Sequence, residues 1–281
     1  VLERQTMRKI SLHLLPLLFV LYVASQLDRT NVAIAALQMN RAIGLSAAAY
    51  GLGAGIFVVG YAVFEVPSNL ILVRVGARWW ISRIAITWGI VSCGMLLARG
   101  PTSFYALRFL LGVAEAGFFP GIIFHLRRWF PERRRARALS RFMIGIPIAA
   151  IVGGPVGGLL LGLDGRLGLT GWQWLFLIEG LPAVVFGIVA LVMLTERPAD
   201  ATWLSREEKA WLENELAGEA SRSALAERGV LETLKNPTVW LLAMAYFVAL
   251  LDRAVSFSTD GCCGCSAQRS PMLRLPSTSS I

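Results

Sequence analysis

The chain has 281 residues, of which 56% are hydrophobic and 16% carry charge, and its mean hydropathy is +0.60. This composition excludes a soluble globular protein of the ordinary kind and indicates an integral membrane protein. The formal net charge of +9 would suit a nucleic-acid-binding protein. However, the positive residues gather beside apolar segments, so we expect no nucleic acid partner.

Six apolar stretches are each long enough to cross a hydrocarbon core about 30 Å thick, which takes about 20 helical residues. The predicted spans are residues 10–36, 51–72, 84–98, 104–126, 142–162 and 172–194. The first span follows Arg8 and Lys9, as the apolar core of a signal peptide would. Its apolar run continues well beyond such a core and meets no small-residue cleavage site, so we interpret it as a retained span.

Lysine and arginine are concentrated on one side of these spans. Most of the 27 basic residues lie in segments 1–9, 73–83, 127–141 and 195–238. The intervening loops carry Arg41, Arg99 and Arg166. By the positive-inside rule, the four basic segments and the amino terminus are predicted to be cytoplasmic. The densest run, 127–141, could bind anionic lipid, but we interpret it mainly as a determinant of topology.

The first span carries two adjacent charges. Asp28 and Arg29 lie in an apolar context about 27 residues long. Adjacent residues of a helix point about 100° apart, so each of these side chains is expected to find a partner on another helix. The alternative is that the helix ends at Leu27 and leaves the pair at the outer interface.

The second span carries two polar groups. Tyr61 lies in its middle and is either a packing aromatic or a hydroxyl that lines a cavity. Glu65 follows one turn later, near the cytoplasmic end, and we interpret it as part of a structural charge cluster with Arg74 or Arg78.

The fourth span is the strongest functional signal in the chain. Its apolar sequence contains Arg108 and Glu115, although a charge at the centre of a spanning helix costs about 2.5 to 3.5 kcal/mol on insertion scales. Seven residues are about two helical turns, so both side chains project from one face, which we expect to border a polar pathway. The alternative for Arg108 is that it extends to the membrane interface.

The fifth and sixth spans carry weaker signals. The fifth is rich in glycine and proline, which in a membrane favours close packing and a local kink. The sixth carries Glu179 about two turns from its start. Glu179 is either functional or paired structurally, and the sequence does not decide between these roles.

The domain organisation follows from changes in composition. We predict a six-helix membrane bundle at 1–194, a cytoplasmic linker at 195–238, and an incomplete seventh helix with an aberrant, disordered tail at 239–281. In the linker, Ser205 and Glu208 have the spacing of a capping box, which predicts a short amphipathic helix. The tail cysteines predict neither a disulfide framework nor a metal site; they are Cys262, Cys263 and Cys265.

Five segments resemble one known family. They read LDRTNVAIA, YAVFEVPSNLILVRVGAR, RFLLGVAEAGFFPG, RRWFPERRRARA and GWQWLFLIEGLPA. In this order and spacing they resemble the anion:cation symporters of the major facilitator superfamily, the group of phthalate, tartrate, hexuronate and galactonate permeases, over residues 5–250. The resemblance implies an all-α membrane fold of twelve spans in two six-helix bundles, each built from two three-helix repeats. It also implies transport of organic carboxylates with protons across the inner membrane.

The resemblance carries the family's site onto five residues of this chain. It implies substrate binding by Arg29, Tyr61 and Arg108, and proton coupling by Asp28 and Glu115. An organic carboxylate, protons and membrane lipids are then the expected partners, and no cofactor or metal is expected. The loop after the second span lacks the acidic residue of the wider superfamily's G-x-L-x-D-R-x-G-R pattern, which leaves a gating contact unassigned.

Chain length gives two further expectations. Twelve spans with a linker need about 400 residues at about 20 per span plus loops, so we expect a truncated or frame-shifted product that lacks a C-terminal half. The alternative is a six-span membrane anchor, sensor or partner subunit that does not transport. An enzyme is not expected, because His13 and His125 have no evident catalytic partners in the sequence.

Overall fold

A computed structural model describes residues 2–224, 236–242, 244, 245 and 248. Within these ranges the secondary structure is entirely helical. The helices are α1 Leu2–Ile43, α2 Ala47–Val75, α3 Ala77–Gly94, α4 Pro101–Glu115, α5 Phe118–Trp129, α6 Glu132–Met143, α7 Gly145–Leu161, α8 Gly171–Met193 and α9 Arg206–Ala224.

Six segments in the described residues are long and apolar enough to cross a membrane, as the sequence predicts. They are Leu2–Ile43, Ala47–Val75, Ala77–Leu97, Pro101–Trp129, Glu132–Leu161 and Gly171–Met193. The first helix extends beyond the predicted 10–36 at both ends. The alternative that it ends at Leu27 is therefore wrong, because α1 continues unbroken through Asp28 and Arg29 to Ile43.

Helices of the first three spans pack against helices of the last three. The most extensive contacts join α3 to α8, α2 to α4, and α1 to both α7 and α8. Glycine makes two of these approaches possible. A Cβ at Gly112 would lie 2.2 Å from the Phe57 carbonyl oxygen, and one at Gly89 would lie 2.7 Å from the Gly180 carbonyl oxygen. The two groups of three spans therefore form one closely packed bundle.

Proline interrupts the fourth and fifth spans. The fourth is divided between α4 and α5, and the fifth between α6 and α7 at Ile144. A proline has no N–H for the carbonyl four residues earlier and its ring clashes with that carbonyl. Pro120 lies four residues after Ala116, which caps the end of α4, and Pro147 lies four residues after Met143, the last residue of α6. The kink predicted in the fifth span is thus present. The fourth span, predicted as one segment over 104–126, is divided into two helices.

The linker helix docks beside the amino terminus of α1. The Ser205 amide donates to Glu208 Oε2 over 2.9 Å and the Glu208 amide donates to Ser205 Oγ over 3.2 Å, which confirms the predicted capping box. Lys9 Nζ lies 2.7 Å from Glu208 Oε1. The Trp203 ring stacks on His13 with centroids 4.3 Å apart, and Leu212 is fully buried. The linker therefore covers part of the end of the bundle that carries the basic segments.

Residues 236–248 belong to a second unit. Residues 237–242 are helical, and Asn236 Oδ1 accepts a hydrogen bond of 3.0 Å from the Thr238 amide at the start of this helix. The predicted seventh helix is described only over these positions and at 244, 245 and 248. The predictions for the rest of that helix and for the cysteine-rich tail lie outside the described residues.

Candidate functional site

The site is organised around the break in the fourth span. Pro120 has no N–H for the Ala116 carbonyl, and the Ser68 hydroxyl of α2 donates to that oxygen instead, over 2.7 Å. Gly117 takes the left-handed conformation, with φ of 84°, that turns the chain between α4 and α5. The break directly follows Glu115, which is the last residue of α4.

Glu115 is paired with Arg29 across the bundle. Arg29 Nε donates to Glu115 Oε1 over 2.8 Å. The Glu115 side chain has no exposed surface, whereas the Arg29 side chain is 34% exposed. The second carboxylate oxygen, Oε2, has no hydrogen-bond partner among the described residues. The pair joins the first and fourth spans, and the Arg29 side chain remains partly exposed.

Tyr61 and Glu65 of α2 lie near the Arg29 guanidinium. The Tyr61 ring centroid is 5.0 Å from the Arg29 guanidinium carbon, a distance suited to a cation–π contact. Glu65, one turn along α2, is half-buried and lies within electrostatic range of Arg29. The described residues contain no ion pair between Glu65 and Arg74 or Arg78.

The predicted charge cluster of Glu65 is therefore wrong. Arg78 instead donates from Nε to the Leu191 carbonyl of α8 over 2.7 Å. Glu65 follows Tyr61 by four residues on α2, so the two side chains share one helical face, and that face is turned toward Arg29. Sequence proximity suggested the arginines of the next loop, but helix rotation decides which charge Glu65 meets.

Arg108 is buried between α2 and α4. The residue is only 3% exposed. Its side chain therefore does not extend to the membrane interface, and the alternative that it does so is wrong. The guanidinium carbon lies 4.5 Å from the Phe57 ring centroid, and Nε donates a long hydrogen bond of 3.5 Å to the Gly53 carbonyl. Nη1 has no hydrogen-bond partner among the described residues. Arg108 therefore retains donor capacity inside the bundle.

Asp28 is held by the third span. Its carboxylate Oδ1 accepts a short hydrogen bond from the hydroxyl of Ser92 on α3, and Oδ2 has no partner in the described part of the chain. Asp28 is 1% exposed and lies within electrostatic range of Arg108 and Glu115. The expectation that Asp28 and Arg29 have partners on different helices is confirmed. Sequence reasoning missed Ser92, whose only signal is a hydroxyl within an apolar span.

Glu179 is a further buried acidic residue. It is 8% exposed on α8, and neither carboxylate oxygen has a hydrogen bond of ordinary geometry within the described residues. Asn31 of α1 interacts with it, and Asn31 itself is fully buried with both amide atoms unbonded. The structural ion pair that remained one option for Glu179 is not observed among the described residues.

Another acidic residue, Glu196, lies at the loop that joins α2 to α3. Its carboxylate accepts hydrogen bonds from the backbone amides of Ala77 and Arg78, over 3.1 and 2.8 Å, at the start of α3. Arg128 of α5 forms an ion pair with the same carboxylate. Glu196, which follows the sixth span, therefore places a carboxylate beside the loop whose own acidic residue is missing. The sequence held no signal for this contact across 118 positions.

Comparisons with known proteins agree with this architecture. The family described as "Major Facilitator Superfamily" matches residues 18–259. A protein of Agrobacterium vitis named "Putative tartrate transporter" is 52% identical over 246 residues, which are 88% of this chain and 57% of that protein. A "Quinolone resistance transporter" of Acinetobacter baumannii is 46% identical and covers 89% of this chain and 58% of its own length. The chain therefore spans about half the length of the curated relatives it matches.

The fold is also shared with a solved transporter. The inward-facing, occupied structure of a bacterial homologue of the human lysosomal transporter Spinster has a TM-score of 0.61 with 23% identity, over 69% of this chain and 46% of that one. The relatives and this neighbour are described as transporters and none as an enzyme. From the family match, the identity to its relatives and the six-span helical fold, the chain belongs to the major facilitator superfamily.

Proposed function

We propose that residues 1–194 form the N-terminal bundle of a secondary transporter that carries an organic carboxylate together with protons. Residues 195–238 would be the linker to a second bundle. One observation carries the proposal: Arg29 and Glu115 form an ion pair inside the membrane-spanning segments, with Glu115 sealed and Arg29 accessible. Charge at this depth is costly and typically marks a substrate or proton pathway.

Two arginines supply the binding chemistry for an anion. A guanidinium keeps its charge at any working pH and offers planar donors that match a carboxylate. The Arg29 side chain is 34% exposed, and Arg108 Nη1 has no partner among the described residues. Tyr61 orients Arg29 through its ring. The name of the Agrobacterium relative refers to tartrate, a dicarboxylate, which supports this substrate class.

Glu115 provides a way to couple protons to substrate. While it is ionised, its Oε1 occupies the Arg29 donor that a substrate carboxylate needs. Protonation of Glu115 removes this internal competitor, so substrate and proton are bound together. Asp28 is a second proton site of the same kind, since one of its oxygens has no partner in the described residues.

The position of the pair suits alternating access. The first and fourth spans hold corresponding places in the two three-helix repeats, and transporters of this design bind substrate near the midplane where repeats meet. The concentration of basic residues in segments 1–9, 73–83, 127–141 and 195–238 supports a cytoplasmic amino terminus in the bacterial inner membrane.

The test is uptake in sealed proteoliposomes with and without an inward proton gradient. The panel holds labelled tartrate, sugar acids, aromatic carboxylates and a quinolone. The 281-residue chain is compared with a version extended by the C-terminal half of the Agrobacterium relative. Gradient-driven uptake of a carboxylate by either protein supports the proposal. Failure of both, with correct membrane insertion, would support the alternative of an anchor, sensor or partner subunit.

The role of Glu115 is tested in whichever protein is active. Glu115→Gln should retain exchange of labelled for unlabelled substrate while losing gradient-driven accumulation, because the neutral amide no longer titrates. Glu207→Gln, at an exposed position of the linker helix, is the matched control and should leave both activities intact. Gradient-driven accumulation by Glu115→Gln would assign proton coupling elsewhere, with Asp28→Asn as the next variant.

A further inference from the structure

A basic cavity lies between the start of α1 and α6, away from the site described above. Its volume is about 270 Å³. Five arginines line it, two from α1 and three from α6; they are Arg4, Arg8, Arg134, Arg137 and Arg141. The spacing on each helix is three or four residues, so each row of guanidinium groups lies on one face. The two rows face one another across the cavity.

Most of this positive charge is not neutralised within the described chain. Arg134 pairs with Glu3 over 2.6 Å at an exposed position. The other four arginines have no carboxylate at ion-pair distance among the described residues. Like charges gathered around one cavity repel one another and favour an anionic ligand.

The floor of the cavity is apolar and already packed. The floor is formed by Met7, Phe130 and Ala138, which are only 4%, 2% and 4% exposed. A buried floor beneath a ring of arginines provides a preformed recess rather than a scatter of surface charges.

An apolar groove continues from the basic cavity. It has a volume of about 220 Å³ and is lined by Leu15, Pro16, Phe19, Arg141 and Phe142. Arg141 belongs to both sites. Along α1, the groove begins where the cavity ends at Leu12 and runs about two turns farther into the membrane-spanning segment. A charged recess that leads into an apolar groove matches the two parts of a phospholipid.

We propose that these two recesses form a binding site for an anionic phospholipid of the leaflet that faces the basic segments. The arginines of α1 and α6 bind the headgroup phosphate, and one acyl chain lies in the groove beside Phe19 and Phe142. The bound lipid links the first span to the fifth. Under the orientation proposed above, this leaflet is the cytoplasmic one, whose anionic surface attracts basic residues.

The test uses the purified 281-residue chain in detergent, with bound lipid counted by native mass spectrometry. The probes are dioleoylphosphatidylglycerol and dioleoylphosphatidylcholine. We expect at least one phosphatidylglycerol to remain bound where phosphatidylcholine does not. The double variant Arg137→Gln/Arg141→Gln should bind phosphatidylglycerol roughly 25-fold more weakly, at about fivefold per arginine.

Two comparisons distinguish a built site from a diffuse basic surface. Arg127→Gln/Arg133→Gln removes the same charge from the same basic segment but outside the cavity, and it should bind phosphatidylglycerol normally. Arg4→Gln/Arg8→Gln removes the α1 row and should reproduce the loss, which covers the case that the α6 variant does not fold. Equal losses in the cavity variants and the control variant would overturn the proposal.

The acyl chain is tested separately. Inorganic phosphate at millimolar concentration should not displace phosphatidylglycerol, because it lacks the chain that fills the groove. Phe19→Ala should weaken retention of the lipid while leaving all five arginines in place. Displacement by inorganic phosphate, or equal retention of phosphatidylcholine, would show that the cavity is not a site for an anionic phospholipid.

Discussion

Arg29 and Glu115 are separated by 86 positions in the chain, yet their side chains meet over 2.8 Å inside the bundle. The burial of the two partners is unequal: Glu115 has no exposed surface, and the Arg29 side chain is 34% exposed. The Ser68 hydroxyl donates to the Ala116 carbonyl at the break that follows Glu115, and the Tyr61 ring contacts the Arg29 guanidinium. The pair is thus held by neighbours on α2 as well as by its own helices.

Unequal burial predicts unequal costs when either partner is removed. Breaking a buried ion pair costs about 3 to 5 kcal/mol because a charge is left without a partner. Arg29→Gln strands a fully buried carboxylate, whereas Glu115→Gln leaves an arginine that can still be hydrated. We expect Arg29→Gln to melt at a lower temperature than Glu115→Gln in detergent at pH 8. The double variant should recover part of the loss, and the reverse order of the single variants would contradict this account.

The break at Gly117 predicts a strict requirement for glycine. A Cβ at this position would lie 2.2 Å from Ser68 Oγ, and φ is 84°. Gly117→Ala should therefore destabilise the protein by about 2 kcal/mol or more, through overpacking and a strained backbone. Gly158→Ala is the matched control, since nothing lies within 4 Å of a Cβ there. Thermal melting followed by tryptophan fluorescence compares the two, and equal melting temperatures would count against the turn geometry.

Glu196 is expected to hold the start of α3. Its carboxylate accepts from two backbone amides and pairs with Arg128, so Glu196→Ala leaves both amides and the guanidinium without this partner. The loss should be about 1 to 2 kcal/mol, the size of a helix N-terminal charge and cap. Hydrogen exchange at Ala77 and Arg78 should accelerate about 5- to 30-fold. Exchange in α7 provides an internal reference, and unchanged protection of α3 would refute the assignment.

Docking of the linker helix should depend on pH through Glu208. The Lys9 ammonium hydrogen-bonds to the carboxylate and holds the pKa of Glu208 below the usual glutamate value. A lowered folded-state pKa means that the stabilisation is present above the usual glutamate pKa and is lost as pH falls through the lowered value. Proteolysis of segment 195–224 should therefore increase below about pH 4, the ordinary range of this group. Glu208→Gln should remove this pH dependence, and an unchanged acid transition in that variant would assign it to another group.

The sequence by itself determined the spans and identified the charged residues that lie within them. A bilayer contains no water to solvate exposed backbone or charge, so about 20 apolar residues predict a spanning helix and each charge within it stands out. Asp28, Arg29, Arg108 and Glu115 were found in this way, and the structure brings them together with Tyr61. The capping box of Ser205 and Glu208 was equally predictable from the sequence, because its partners are three residues apart.

Only the tertiary structure decided which partner each group meets. Glu115 pairs with Arg29 of the first span rather than with Arg108 of its own helix, and Glu65 turns toward Arg29 rather than toward the next loop. Ser92 binds Asp28, and Glu196 binds the backbone at the start of α3. In both cases the two partners are far apart in the chain. Hydropathy reports the cost of placing one residue in the membrane, which is a local quantity. Pairing depends on how helices rotate and approach one another, and that is set by packing across the whole bundle.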